Sequence, residues 1–172
     1  MAQLVVGGGC FWCVEGGLKN LRGVSEAIPG YTGGETQDPT YQQICSGNTG
    51  HAEVVIVTFD EQTIPLKTLL EVFFTLHDPT QLNRQGADIG TQYRSVIFTA
   101  DEQQSIAAEE VIEQCQLNFD NKIVTEITPL GHLYIAEDYH HDYYANNPNN
   151  PYCLAVVGPK VAKAREKHAS LY

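Results

Sequence analysis

Glu53-Val54-Val55-Ile56-Val57-Thr58-Phe59 is the run of the chain that decides its fold. Both of its faces are largely apolar, which predicts a strand in the middle of a sheet rather than at its edge. Upstream, Leu4-Val5-Val6 is a second apolar run that ends at Gly7-Gly8-Gly9, a buried strand feeding a tight turn. Residues 10–19 open a helix, and 24–31 read as a strand weakened by Pro29 and Gly30. The stretch 33–50, rich in Gly, Asp, Thr and Asn, reads as a long loop, and loops of that length are often functional. Downstream, Pro65 starts a helix whose stripe is Leu66, Leu69, Leu70, Phe73 and Phe74, stopped by His77-Asp78-Pro79. Residues 93–99 and 123–127 read as strands. Thr99 and Glu102 have the spacing of a capping box for the helix between them, on which Ala108, Val111, Ile112 and Cys115 share one face. A short aromatic helix over 136–145 and a terminal helix over 161–168 complete the chain. Helices mixed with strand pairs in this order predict an α+β sandwich, with helices against a largely antiparallel or mixed sheet.

The 172 residues suit one catalytic domain over 1–172, with 146–172 as a C-terminal tail and helix. Ten basic against 21 acidic side chains leave a net charge of −11, which disfavours a nucleic-acid partner. No apolar run approaches the roughly 18 residues that a membrane span needs, and the first residues lack the basic and apolar regions of a secretion signal. Cys10, Cys13, Cys45, Cys115 and Cys153 are too few, and odd in number, for a disulfide framework. A reducing compartment is expected, the cytoplasm, where such cysteines are catalytic, metal-binding or buried.

Gly7-Gly8-Gly9-Cys10-Phe11-Trp12-Cys13 carries the sharpest chemical signal. A cysteine at a helix N-terminus faces free backbone N–H groups and the positive end of the dipole, which favour its thiolate. Cys13 lies three residues on, on the same face of a helix begun there. The pair fits a nucleophilic or redox thiol couple; two buried small hydrophobes or half of a metal site are the other readings. Glu53 is in phase with Val55, Val57 and Phe59. Desolvated at the mouth of a central strand it would be a proton donor near neutrality, whereas a strand-entry Glu ordinarily reaches water. Tyr41 and Tyr93 could donate to an oxygen that develops charge, or simply pack with one wet end. Asp88 has the local chemistry of a turn residue. Glu137, His140 and His141 would share a helix face, and Cys153 follows Asn146-Asn147-Pro148-Asn149-Asn150-Pro151, a tether that could carry it to another thiol.

Together these residues resemble the A-class peptide methionine sulfoxide reductases. The resemblance rests on Gly9-Cys10-Phe11-Trp12, on Asp38-Pro39-Thr40-Tyr41 through Cys45-Ser46-Gly47, and on Thr49-Gly50-His51-Ala52-Glu53. It continues in Gln85-Gly86-Ala87-Asp88-Ile89-Gly90-Thr91-Gln92-Tyr93-Arg94-Ser95 and in Tyr139-His140 to Tyr143. It implies a two-layer fold with a ferredoxin-like core, a monomer, no metal or organic cofactor, and preference for the S epimer of the sulfoxide. It also implies roles. Cys10 would attack the sulfoxide sulfur, Phe11 and Trp12 would hold the substrate methyl group, and Glu53 would protonate the oxygen with Tyr41 and Tyr93 hydrogen-bonded to it. Asp88 would help organise the site. Cys10 would be left as a sulfenic acid, a second thiol would condense with it, and a thioredoxin-like dithiol would reduce the disulfide. Cys13 stands where Gly is frequent and is the nearer candidate for the resolving thiol, with Cys153 as a second relay. His141 stands where Gln is usual. A thioredoxin-like disulfide oxidoreductase built on the Cys-x-x-Cys pair, and a metal-binding or thiol-sensing module, are the competing readings. Neither accounts for the stretches around Tyr41 and Asp88.

Overall fold

A computed structural model describes residues Met1–Tyr172. The elements run β1 (Ala2–Gly7), α1 (Phe11–Leu18), β2 (Val24–Thr32), α2 (Tyr41–Cys45), β3 (Ala52–Phe59), α3 (Leu66–Phe73), β4 (Arg84–Gln85), β5 (Asp88–Ile89), β6 (Val96–Thr99) and α4 (Glu102–Cys115). They continue with β7 (Glu126–Pro129), β8 (Leu133–Ile135), α5 (Tyr143–Asn146) and α6 (Gly158–Lys167). Six strands form one sheet in the order β7-β6-β1-β3-β2-β8, and β4 and β5 pair separately. Every neighbour in the large sheet is antiparallel except β6 and β7, which are joined through α4 and run parallel. The inner strands β6-β1-β3-β2, with α1 after β1 and α3 after β3, make the expected ferredoxin-like core.

The sequence of β3 explains its central place. Val55, Val57 and Phe59 face the main core beneath the helices, with Phe11, Leu18, Leu69 and Val111. Ala52, Val54 and Ile56 face the other way and pack with Val5, Val96 and Phe98, where Ile28, Leu130 and Leu133 help to cover them. Burying both faces of the strand removes from water the apolar area that drives the fold, at roughly 25 cal/mol per Å². Helix α1 reaches the core closely because Gly17 has no side chain: a Cβ there would lie 2.2 Å from the Leu76 side chain.

Several boundaries depart from the sequence reading. Pro29 does not interrupt β2. Its carbonyl accepts from Ala136 N–H just past the end of β8, so its missing N–H faces that same edge and costs the ladder to β3 nothing. The 33–50 stretch is not all loop, because α2 lies within it, opened by a capping box between Thr40 and Gln43. Thr99 does not cap α4; the Asp101 carboxylate does, accepting from Gln104 N–H at 2.8 Å. Tyr93 belongs to a tight 3₁₀ turn (Thr91–Tyr93), and the strand starts only at Val96. The strand expected over 123–127 is β7, shifted toward the C-terminus, and β8 lay in a stretch with no expected element. The 136–145 helix is broken at Asp142, whose φ of 56° separates a 3₁₀ turn (Asp138–His140) from α5. Cys153 is not on a free tether. It is fully buried at the start of a π-helical turn (Cys153–Val157) that runs into α6.

Candidate active site

The site forms where β1 hands over to α1. Gly9 turns the chain at a φ of +84°, and its N–H donates to the Tyr93 carbonyl at 3.1 Å. A Cβ on Gly8 would press on the His77 ring at 2.9 Å, so this turn needs small residues to seat the nucleophile against the sheet. Cys10 then sits at the N-cap position of α1, only 6% exposed. Beside it, Glu53 is 1% exposed on the helix-facing side of β3. Its Oε1 accepts from Phe11 N–H at 3.1 Å, whereas Oε2 has no partner. The carboxyl of a strand and the first N–H of the nucleophile's helix are thereby joined.

Burial decides the protonation states. It pushes Glu53 up to about 8, against the opposing Phe11 hydrogen bond and with the help of the Asp88 charge. The Cys10 thiol is also held well above its ordinary value, first by burial and then by the Glu53 and Cys13 charges. The helix terminus, which favours the thiolate, works against that burial. The backbone N–H of Trp12 pulls the pKa of the sulfur down, but desolvation outweighs it. At neutral pH the resting pair is a thiol beside a protonated carboxyl. Such a carboxyl has a proton to give, and the water-reaching alternative for Glu53 is overturned.

The aromatic residues form a wall around this pair. Phe11, itself buried, packs on Tyr31, Tyr41 and His140 with ring centroids 5.7, 6.3 and 5.0 Å away. Trp12 is half-buried and lies flat on Tyr143 at 3.8 Å and 8°. Tyr41 and Tyr93 are half-buried and come from opposite sides, α2 and the 3₁₀ turn. Burial first, then the Glu53 charge, raises both phenols, so both hydroxyls remain donors. Asp88 on β5 accepts a hydrogen bond from the Tyr152 hydroxyl at 2.5 Å. Cys13 is fully buried on α1, and burial pushes its thiol up to about 12, opposed by Lys160; Cys153 is near enough to add to that shift.

A family model described as peptide methionine sulfoxide reductase matches residues 2–171 of the chain. The chain belongs to this reductase family. It is 52% identical over 171 residues to a peptide methionine sulfoxide reductase MsrA of Acinetobacter baumannii, covering 99% of this chain and 98% of that one. Among solved structures it is similar to reduced Mxr1 of Saccharomyces cerevisiae, with a TM-score of 0.83 and 35% identity over 88% of each chain. It is also similar to Mxr1 of the same yeast in complex with Trx2, with a TM-score of 0.60 and 26% identity over 81% of this chain and 83% of the other.

In this reductase Cys10, Phe11, Trp12, Cys13, Glu53, Tyr41, Tyr93 and Asp88 lie on β1, α1 and the elements facing them, and Cys153 nears Cys13 from the C-terminal side; Cys45 is exposed at the end of α2 and Cys115 lies apart in the core on α4. Reading the sequence named Glu137 and His140 without their roles and missed Glu15 and Tyr152, and all four support the site. His140 accepts from Trp12 Nε1–H at 3.0 Å through Nδ1 and so fixes the indole. Burial lowers His140 to about 4, which keeps the ring neutral and able to accept. Glu137 does not share a helix face with His140 and His141. Its two oxygens take Tyr31 O–H and Tyr41 N–H, each at 2.9 Å. Glu15 is buried and accepts from Asp142 N–H at 3.0 Å, holding the start of α5 and with it Tyr143 under Trp12. Tyr152 is the fourth. Only the aromatic and acidic density of 137–144 hinted at any of them.

Proposed function

We propose that this chain reduces methionine S-sulfoxide, free or in proteins, with Cys10 as nucleophile and Glu53 as proton donor. The observation that carries the reading is the Glu53 carboxyl, buried beside Cys10 and bonded to the N–H of the next residue, where burial pushes it up to about 8. A sulfoxide oxygen leaves sulfur only once it is protonated. Glu53 gives that proton, Tyr41 and Tyr93 hold the oxygen, and the thiolate that forms as Cys10 loses its own proton attacks the sulfur. The net exchange is Cys10–SH plus methionine sulfoxide to Cys10–SOH plus methionine, so Cys10 gives up the two electrons that the substrate sulfur gains. Trp12 over Tyr143, with Phe11 behind, supplies the apolar wall for the methyl group.

Cys13 condenses with the sulfenic acid, releasing water and leaving a Cys10–Cys13 disulfide. Cys153 relays it, and a thioredoxin-like dithiol restores the thiols. The yeast relative's complex with Trx2 supports the last step. The enzyme is a repair enzyme for oxidised methionine, and we place it as a monomer in the cytoplasm, where a thiol cycle is kept supplied. The test follows each epimer of a blocked methionine sulfoxide with dithiothreitol as reductant. Wild type is expected to consume the S epimer alone and Cys10→Ser neither; consumption of both epimers, or turnover by Cys10→Ser, overturns the reading.

A further inference from the structure

Tyr152 is one residue ahead of Cys153, and its phenol reaches back across the site. The hydroxyl donates to Asp88 at 2.5 Å, and the ring stands edge-on to Trp12, with centroids 5.8 Å apart at 76°. Every other side-chain hydrogen bond of residues 147–158 goes to a residue no more than seven positions away. Apart from the local bonds of Asn147 and Asn150 to Tyr143, the Tyr152–Asp88 bond is therefore the one side-chain tie from the turn that carries Cys153 to the β4–β5 pair across the site. Asn150 Oδ1 accepts from both Tyr152 N–H (2.9 Å) and Cys153 N–H (3.3 Å), so the two residues move as a unit. Beyond them the backbone is a π-helical turn, closed by Gly158 N–H on the Cys153 carbonyl. Such turns hold an extra residue in a wider ring and are found where helices adjust. A buried thiol thus sits between a single strong bond on one side and a yielding turn on the other.

We propose that Tyr152 is a positioning residue that latches the Cys153 turn to the active site. While its hydroxyl is bonded to Asp88, Cys153 stays buried; when the bond opens, Cys153 is freed to take over the disulfide. The role rests on the reductase reading and deepens it. In the relay, the Cys153 thiol gives up its proton and its sulfur attacks Cys13. The Cys13–Cys153 bond forms as the Cys10–Cys13 bond breaks, and Cys10 leaves as a thiolate that takes a proton. No electrons are gained or lost overall, and the nucleophile is ready for a second substrate before the external dithiol arrives.

The experiment measures the rate at which iodoacetamide alkylates Cys153 in the reduced, resting protein, resolved by peptide mass spectrometry. Cys115, buried in the core on α4, serves as the internal control for general loosening. Tyr152→Phe, which removes only the hydroxyl, is expected to raise the Cys153 rate about tenfold, the factor that corresponds to about 1.4 kcal/mol. The Cys115 rate should stay at its wild-type value. Asp88→Ala should give the same rise, and the double variant no more than either alone, because both changes cut one bond. An unchanged Cys153 rate, a rise shared equally by Cys115, or additive effects would each overturn the latch. In a second arm, one equivalent of S-sulfoxide without reductant should leave more Cys13–Cys153 disulfide, at early times, in Tyr152→Phe than in wild type; equal amounts would count against the relay role. If wild type fails to consume either epimer, the reductase reading falls, while the alkylation rates still decide whether the latch exists.

Discussion

Glu53 is the residue in which fold and reaction meet. Its elevated pKa of about 8 means that the donor is present below that pH and is lost above it. The rate of S-sulfoxide reduction should therefore fall on the alkaline side with a midpoint near 8. Glu53→Gln should lower kcat by about 10²- to 10⁴-fold, the range of a positioned general acid, and remove that limb from a pH–rate profile. His140 shows a different dependence. Replacing it with Phe keeps the ring stack and leaves Trp12 Nε1–H without its acceptor, a cost of about 1–3 kcal/mol. Because Trp12 is the only tryptophan, the tryptophan emission of the protein reports this site alone, and the variant should shift it while raising KM more than it lowers kcat. The sequence displayed Cys10 and Glu53 openly, through the glycine turn and the strand phase. It could not display the partners of Tyr152 or Glu137, which lie 64 and 96 positions away, because only tertiary packing brings such pairs together.

At the level of elements, the active-site loops are fixed by a few polar clamps. His51 Nδ1 accepts from Gly34 N–H at 3.0 Å and its Nε2 bonds the Thr36 carbonyl at 2.7 Å, so the end of the 33–50 stretch is stitched to its beginning. Glu137 then holds the first residue of α2. Glu137→Ala should cut kcat several-fold by releasing Tyr41, with a loss of stability of about 1–3 kcal/mol from the two donors left unpaired; steady-state kinetics and urea titration would read both. Thr40→Ala, which removes the α2 cap, should cost about 1 kcal/mol. That helix was within reach of the sequence, because Thr40 and Gln43 carry the same spacing that drew attention to Thr99 and Glu102. The latter pair misled because Asp101, two residues after Thr99, captures the helix N-terminus instead. The strands β1 and β3 were legible because their buried faces are written in adjacent apolar residues. The aromatic helix was not, since a single left-handed residue, Asp142, breaks it and nothing nearby in sequence signals that break.

For the molecule as a whole, four buried ionisable groups set the pH dependence of stability. Glu53 at about 8 and Glu15 at about 7 are raised by burial, so the native state binds more protons than the unfolded chain above pH 4.5, and stability falls as pH rises toward those values. His77 and His140, lowered to about 4 by burial, act in the opposite sense between pH 4 and 6.5, where the unfolded chain takes up the protons that the native state refuses. The two pairs oppose each other from about pH 4.5 to 6.5, and the acids act alone above it. Denaturant unfolding of the reduced protein should show stability nearly level across the first range and declining from pH 6.5 to 8, by up to about 1.4 kcal/mol per pH unit for each acid. A maximum at pH 8 would contradict these assignments.

The position of β1 has a further consequence, which concerns how the chain is made. It is the second residue onward that supplies a central strand, flanked by β3 on one side and by β6 on the other. As the ribosome delivers the chain from its N-terminus, β1 waits for the arrival of residues 52–59 and then 96–99, and α1 waits for α6 to cover it. Until those segments arrive Cys10 has neither its sheet nor its aromatic wall, so the thiol exists before the burial that will govern its chemistry.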